Sequence, residues 1–125
     1  MKKGAGMRGQ ESRFPFELVA RRLKALADCS RLSVLQSLCD GEKSVTELVE
    51  RTGLGQTNVS KHLRILKADG FVLARRNRRN IIYRVSGTLH EEICTLICRS
   101  MKEKATADNR QLERYLDRRR ARKAG

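Results

Sequence analysis

Polar and cationic side chains that could contact nucleic acid recur at helical spacing in the middle of the chain. Thr57, Lys61 and Arg64 fall on one face of a helix that the pattern predicts from Gln56 onward, and Ser60 lies beside them. Short hydrogen-bonding groups and cations suit base edges and phosphates in a major groove, which admits one α-helix. The opposite stripe is apolar and needs a core behind it. Taken alone, this face fits an ordinary solvated helical hairpin equally well.

The residues before this helix predict a shorter helix and a tight turn. Ser44 and Glu47 have the spacing of a capping box, which satisfies the exposed amides where a helix begins. Gly53 tolerates the left-handed conformation in which helices often end. The segment 44–70 is therefore typical of a helix, a turn and a second helix, with Val45 at the edge of any groove that the second helix enters.

Two short runs rich in β-branched and aromatic residues follow, at 71–74 and 81–85. Between them lie four arginines together with Asn77 and Asn80, and asparagine tolerates turn conformations. We expect a two-stranded hairpin, a wing, with the arginines at its tip. Those cations can lie against phosphates or in a narrow minor groove. The wing arginines are Arg75, Arg76, Arg78 and Arg79.

Apolar spacing predicts two scaffold helices before this segment and a fifth helix after it. The fifth helix begins near Thr88, with His90 expected to be exposed in its first turn. Cys94 and Cys98 widen its apolar stripe on one edge. A helix that is apolar over so wide an arc must be buried on two sides. We infer that a second copy of the chain covers one of them.

Three blocks of sequence, in this order, resemble the ArsR/SmtB family of winged helix-turn-helix repressors. They are LKALAD with the following RL at 23–32, QTNVSKHL at 56–63, and Arg75-Arg76 with Ile82-Tyr83. The resemblance covers roughly residues 16–103. It implies a mainly α fold with a two-stranded β-wing and about five helices. The expected DNA contacts are Val45, Gln56, Thr57, Asn58, Ser60, Lys61, Arg64, Arg75, Arg76, Arg78 and Arg79.

The resemblance also implies a homodimer formed through the first and last helices. Two recognition helices about 34–36 Å apart can contact a palindrome from one side of the duplex. We therefore expect a sequence-specific transcriptional regulator, a repressor, on a palindromic double-stranded operator. The alternative is a basic protein that binds nucleic acid without sequence preference or a sensor site. The expected dimer interface residues are Phe16, Val19, Leu23, Leu89, Ile93, Ile97 and Met101.

Two metal sites known in the family do not carry over to this sequence. Where the third-helix site of the family has a Cys-x-Cys pair, this chain has Ser44 and Thr46, which cannot supply thiolates to a soft metal. The zinc site on the last helix of the family needs Asp and His. At most one of its ligands survives in this chain, at Glu103. Any effector site must therefore use other residues.

The remaining candidates for an effector site are cysteines. Cys94 and Cys98, four residues apart, are neighbours on one helix face. Across a dimer they could gather four thiols, hold Zn(II) or As(III), or close a disulfide or polysulfide link. The other interpretation is that both are small buried hydrophobes at an interface. Cys29 is a second candidate, because a helix N-terminus is the positive end of the helix dipole, although Asp28 beside it acts in the opposite direction.

Composition limits the classes of function. The chain has 125 residues, and 28 Lys and Arg against 14 Asp and Glu give a net charge of +14, which favours a polyanionic partner. No apolar run is long enough to cross a bilayer, and the start lacks the apolar stretch of a secretory signal. Four cysteines fit a reducing compartment, so we expect a cytoplasmic protein with no membrane partner. No nucleophile and base lie together, so we do not expect an enzyme.

Length and composition also predict the domain organisation. We expect a disordered basic arm over residues 1–13 and a DNA-binding and dimerisation domain over 14–104. Residues 105–125 form a basic tail with room for a short helix. That tail is either solvated and frayed or an additional contact to phosphates.

Overall fold

A computed structural model describes residues 15–103 and 109–124. The chain divides into two units, residues 1–86 and 87–125. The predicted N-terminal arm over 1–13 lies outside the described residues. Within the described ranges, no helix is both long enough and apolar enough to cross a membrane.

The first unit contains four helices and a small antiparallel sheet with the strand order β1-β3-β2. In chain order its elements are α1 (Phe16–Leu26), α2 (Cys29–Leu38), β1 (Lys43–Ser44), α3 (Val45–Thr52), α4 (Gln56–Ala68), β2 (Val72–Asn77) and β3 (Asn80–Val85).

The core of the first unit lies where α2, α3 and α4 pack against one another. Leu35 on α2 and Leu48 on α3 have no exposed surface. The apolar stripe predicted for α4 is confirmed, since Val59, Leu63 and Leu66 are all buried. Because this stripe is fixed to the core, the opposite, polar face of α4 must point outward.

The sheet has three strands rather than the two predicted. Lys43 pairs with Tyr83 and Ser44 pairs with Ile82 across β1 and β3. A strand of two residues is too short for the alternation of apolar and polar residues to appear in the sequence. Ser44 is extended and also caps α3, so β1 connects the start of α3 directly to the wing.

The second unit is a pair of helices, α5 (Leu89–Glu103) and α6 (Asn109–Ala124). The prediction of about five helices is therefore wrong by one, because α6 runs for 16 residues where a short helix was expected. Arginine and leucine are good helix formers despite the polar appearance of this segment. Lys102 of α5 pairs with Glu113 of α6 at 3.0 Å, and Glu91 of α5 pairs with Arg122.

Candidate nucleic-acid interface

The α4 residues expected to contact DNA share its outward face. All six are exposed, whereas the core stripe on the other side is buried. The first turn of α4 contains no acidic residue, and its N-cap, Gly55, has no side chain to occupy the free amides. Free amides at a helix N-terminus favour phosphate. The six residues are Gln56, Thr57, Asn58, Ser60, Lys61 and Arg64.

Capping contacts fix the path of the chain into α4. The Ser44 amide donates to Glu47 Oε1 at 2.8 Å, and the Glu47 amide donates to Ser44 Oγ at 3.2 Å, which confirms the predicted capping box. The turn after α3 is held by Gly53 at a φ of 76°. Thr52 Oγ1 accepts a hydrogen bond from the Leu54 amide at 3.2 Å. The capping box therefore fixes where α3 begins, and the bonds at Thr52 and Gly53 fix the turn between α3 and α4.

A polar contact behind α4 holds it to the junction of α1 and α2. Arg31 Nε donates to the Ala25 carbonyl at 2.6 Å, and its Nη1 lies 3.4 Å from His62 Nδ1 on α4. His62 is only 8% exposed, and its burial lowers the pKa of the imidazole. A neutral His62 can accept a hydrogen bond from the Arg31 guanidinium. The pair therefore positions α4 from its inner side.

The tip of the wing is shorter than expected. Arg75 and Arg76 lie within β2, and the ladder continues to the pair Asn77 and Asn80. Only residues 78 and 79 form the turn, with Arg78 rather than either asparagine at a positive φ of 61°. The prediction of four arginines at the tip is therefore wrong, because strand pairing extends through the polar residues.

Arg75 already has a partner within the chain. Its Nη2 lies 2.7 Å from Glu42 Oε1, and its Nε lies 3.3 Å from Oε2, which is a bidentate pair. The Arg75 guanidinium holds the pKa of Glu42 below its ordinary value, and Glu42 in turn raises the pKa of Arg75. A phosphate at Arg75 must therefore compete with Glu42.

A groove of about 490 Å³ runs along α4 beside β3. Only Ser60 and Arg64 of its lining are among the DNA contacts predicted from the sequence, and the two polar lining residues that the prediction lacks are Lys67 and Tyr83. Lys67 follows Ser60 and Arg64 at helical spacing, so the continuing cationic face was a usable signal. Tyr83 reaches the groove only through the register of the sheet. The lining residues are Ser60, Leu63, Arg64, Lys67, Ala68 and Tyr83.

One of the two candidate thiols of α5, Cys94, lies where α6 covers that helix. Cys94 is half-buried and hydrogen-bonds to the Tyr115 side chain of α6. Burial raises the pKa of both the Cys94 and the Cys98 thiols, and it raises the pKa of Tyr115 to about 12. Both cysteines are therefore thiols rather than thiolates at neutral pH.

The remaining candidate ligands are dispersed. Cys29 is exposed at the start of α2, where the Asp28 carboxylate accepts a hydrogen bond from the Arg31 amide at 3.0 Å. His90, predicted to be exposed, is only 3% exposed, because the first turn of α5 is covered within the fold. Over residues 15–103 and 109–124, no group of three or more His, Cys, Asp or Glu side chains could hold a metal ion.

Comparison with known proteins identifies the family. The profile described as bacterial regulatory protein, arsR family, matches residues 28–73. The biofilm growth-associated repressor of Xylella fastidiosa is 36% identical over 89 residues, covering 68% of this chain and 78% of that protein. The chain belongs to the arsR family. This arsR-family chain is also 40% identical to the transcriptional activator HlyU of Vibrio cholerae over 86 residues. The match covers 69% of this chain and 80% of HlyU.

The fold of this arsR-family chain agrees with that of solved relatives. The homodimeric winged helix-turn-helix DNA-binding domain Mb0332 of Mycobacterium bovis is 30% identical with a TM-score of 0.64, covering 82% of this chain and 94% of that one. The resemblance inferred from the three sequence blocks is confirmed. The chain is a DNA-binding transcriptional regulator and not an enzyme, as predicted.

Proposed function

We propose that this regulator represses transcription by binding a palindromic operator as a homodimer. The observation that carries the proposal is the outward polar face of α4 beside a wing with arginines at its tip. On α4, Gln56, Thr57, Ser60 and Lys61 contact base edges, with Asn58 beside them and Val45 of α3 at the groove edge. Phosphates are held by Arg64, by the wing residues Arg76, Arg78 and Arg79, and by Arg75 to the extent that a phosphate displaces Glu42 from it. We assign the protein to the cytoplasm, where this DNA is found.

The proposed homodimer is supported by apolar side chains that the single chain leaves uncovered. On α1, Phe16 is 65% exposed, and on α5, Ile97 is 55% exposed. Each of these helices, taken by itself, exposes several large apolar side chains, and an exposed apolar patch marks an interaction site. The homodimeric state of Mb0332 supports the same assignment. We keep the predicted interface of Phe16, Val19, Leu23, Leu89, Ile93, Ile97 and Met101, and we extend the domain that carries it to include α6.

DNA binding by two variants tests the division between base and phosphate contacts. Fluorescence anisotropy is measured on the upstream DNA of the gene and on a random duplex, over a range of salt. Gln56→Ala is expected to cost about 1–3 kcal/mol on the upstream DNA and little on the random duplex. Arg78→Ala is expected to weaken both and to lower the logarithmic salt slope by about 0.9 for each phosphate that it no longer neutralises.

The control is Gln111→Ala, because Gln111 is exposed on α6 and is not a proposed DNA contact. If both variants lose affinity equally on the two DNAs, the assigned roles are wrong. If random DNA competes for the wild-type protein as effectively as its own upstream DNA does, the protein binds nucleic acid without sequence preference. The net charge of +14 favours that second candidate.

We further propose that a thiol-directed signal releases the operator through Cys94 and Cys98. The signal is a soft metal or metalloid ion, an oxidant or a sulfane-sulfur species. Cys94 contacts Tyr115, so adding a group to its sulfur disturbs the packing of α6 on α5. Cys29, exposed on α2, remains a separate candidate.

Titration of the preformed DNA complex tests the thiol proposal. Zn(II), As(III), a sulfane-sulfur donor and diamide are added separately to the wild type and to Cys94→Ser/Cys98→Ser. If one agent releases the DNA from the wild type and from Cys39→Ser but not from the double variant, Cys94 and Cys98 are the responsive thiols and that agent is the signal. Release that disappears only in Cys29→Ser moves the site to α2. Tight binding unaffected by all four agents makes the cysteines packing residues.

A further inference from the structure

We propose that the second unit holds a binding site for a small tetrahedral oxyanion between α5 and α6. A cavity of about 60 Å³ lies between these helices. A single water needs only about 10–15 Å³ of such space, so the cavity has room for several waters or one ion of the size of sulfate or inorganic phosphate. Its lining residues are Thr95, Arg99, Leu116, Arg119, Arg120 and Lys123.

The lining carries a concentrated positive charge. Four of the six lining residues are cations, and none of these six is acidic. Two acidic residues of these helices pair with cations outside the lining: Glu113 pairs with Lys102 at 3.0 Å, and Glu91 pairs with Arg122. Asp117 pairs with one of the lining cations, Arg120, at 2.8 Å, and both side chains are more than half exposed. Cations that line one small cavity repel one another, and a bound anion relieves that repulsion.

Arg119 supplies a fixed donor at the cavity. Its Nη1 donates to Thr95 Oγ1 at 2.7 Å and to the Glu91 carbonyl at 3.4 Å, which orients the guanidinium. Thr95 is itself only 4% exposed. The Nε of Arg119 is buried and has no hydrogen-bond partner within the described part of the chain.

A buried donor without a partner is unfavourable, and a guanidinium is shaped to donate to an oxyanion through adjacent nitrogens. Sulfate or phosphate in this cavity lies among cations from both helices, and a turn of the Arg119 guanidinium toward the ion would also give the buried Nε an acceptor. Arg99 comes from α5, whereas Arg119 and Lys123 come from α6. The bound ion therefore fastens α6 to α5, beside the contact between Tyr115 and Cys94.

Isothermal titration calorimetry of the full chain tests this site. Sodium sulfate and inorganic phosphate are titrated at fixed ionic strength, with sodium chloride as the competing salt. We expect one oxyanion per chain and no displacement by chloride. Arg99→Gln/Lys123→Gln is expected to weaken binding about tenfold or more, because two cations are removed from the lining. Both side chains are exposed, so the variant keeps the Arg119–Thr95 and Glu91–Arg122 contacts that hold α6.

The matched control is Arg114→Gln/Arg118→Gln, which removes the same charge from exposed positions of α6 outside the cavity. Equal weakening in both double variants, or displacement by chloride, overturns the proposal in favour of general charge screening. Arg119→Lys keeps the charge but removes Nε, and unchanged sulfate affinity in that variant removes Arg119 from the site. If a short DNA duplex displaces sulfate stoichiometrically, the occupant is not a free oxyanion. The cavity then binds a phosphate of the DNA, and the proposal is overturned.

Discussion

The two units differ in how much of their interior is apolar. In the first unit, Leu35 and Leu48 are completely buried, and buried polar side chains such as Lys43 and His62 are few beside the apolar core. In the second unit, His90 is 3% exposed, whereas Leu96 and Ile97 are 63% and 55% exposed. A unit with a polar interior and an apolar exterior needs a partner to complete it. The first unit therefore has an apolar core that supports α4, whereas α5 and α6 are joined largely by polar contacts, and the second copy that we propose would cover the apolar side chains that α1 and α5 expose.

The largest expected effect comes from the core of the first unit. Leu63→Ala is expected to lower the free energy of unfolding by about 2–5 kcal/mol, because it removes a buried side chain behind α4 and leaves a cavity. Urea unfolding followed by circular dichroism measures the loss. Leu89→Ala is the matched control from the second unit, because Leu89 is exposed and belongs to the predicted interface. At concentrations where the protein is monomeric, Leu89→Ala should unfold like the wild type. Its effect should appear as a weaker dimer in sedimentation equilibrium. If the two variants lower the free energy of unfolding equally, the contrast between the units is wrong.

The interior charges of the second unit give the next effect. Glu91 and Arg122 are only 13% and 22% exposed, so Glu91→Gln removes an ion pair from a poorly solvated guanidinium. We expect a loss of about 1–3 kcal/mol in the packing of α6, visible as faster amide hydrogen exchange throughout that helix. Asp117→Asn removes a carboxylate from an exposed pair and is the control. If Asp117→Asn accelerates amide exchange in α6 as much as Glu91→Gln does, the burial of the Glu91–Arg122 pair does not contribute to the packing of α6.

The sequence predicted the structure best where a local pattern of residues has a single structural explanation. Val59, Leu63 and Leu66 repeat at the period of a helix, and a buried stripe is the simplest structure consistent with them. The capping box of Ser44 and Glu47 is equally local, since both of its hydrogen bonds join residues three apart. Such local features are sufficient to predict the helix-turn-helix and the outward face of α4.

Features that depend on distant partners were missed. Strand β1 exists only because β3 lies beside it, and two residues carry no periodic pattern of their own. The length of α6 depends on pairs such as Lys102–Glu113, which join two helices and are invisible in a polar segment. His90 was expected to be exposed because histidine in a first helical turn usually is. Its burial follows from tertiary packing that no local pattern records.

The smallest expected effect concerns the charges at the surface of the first unit. Arg75 is held by Glu42, whose side chain is 39% exposed, whereas Arg78 lies at the tip of the wing. Glu42→Gln is therefore expected to change stability little, because exposed ion pairs contribute little. It should instead release Arg75 for phosphate, raise DNA affinity modestly on specific and random duplexes alike, and steepen the logarithmic salt slope by about 0.9 for each arginine engaged.

The control for this prediction is Glu50→Gln, which removes the same charge from an exposed position of α3. A general reduction of negative charge raises affinity in both variants, whereas release of Arg75 steepens the salt slope only in Glu42→Gln. Combining Glu42→Gln with Arg75→Gln must then cancel the gain. If the gain persists without Arg75, Glu42 repels the duplex directly, and the ion pair has no part in DNA binding. If it cancels, an acidic residue outside α4 and the wing limits the non-specific attraction of a chain with a net charge of +14, and leaves more of the discrimination to the face of α4.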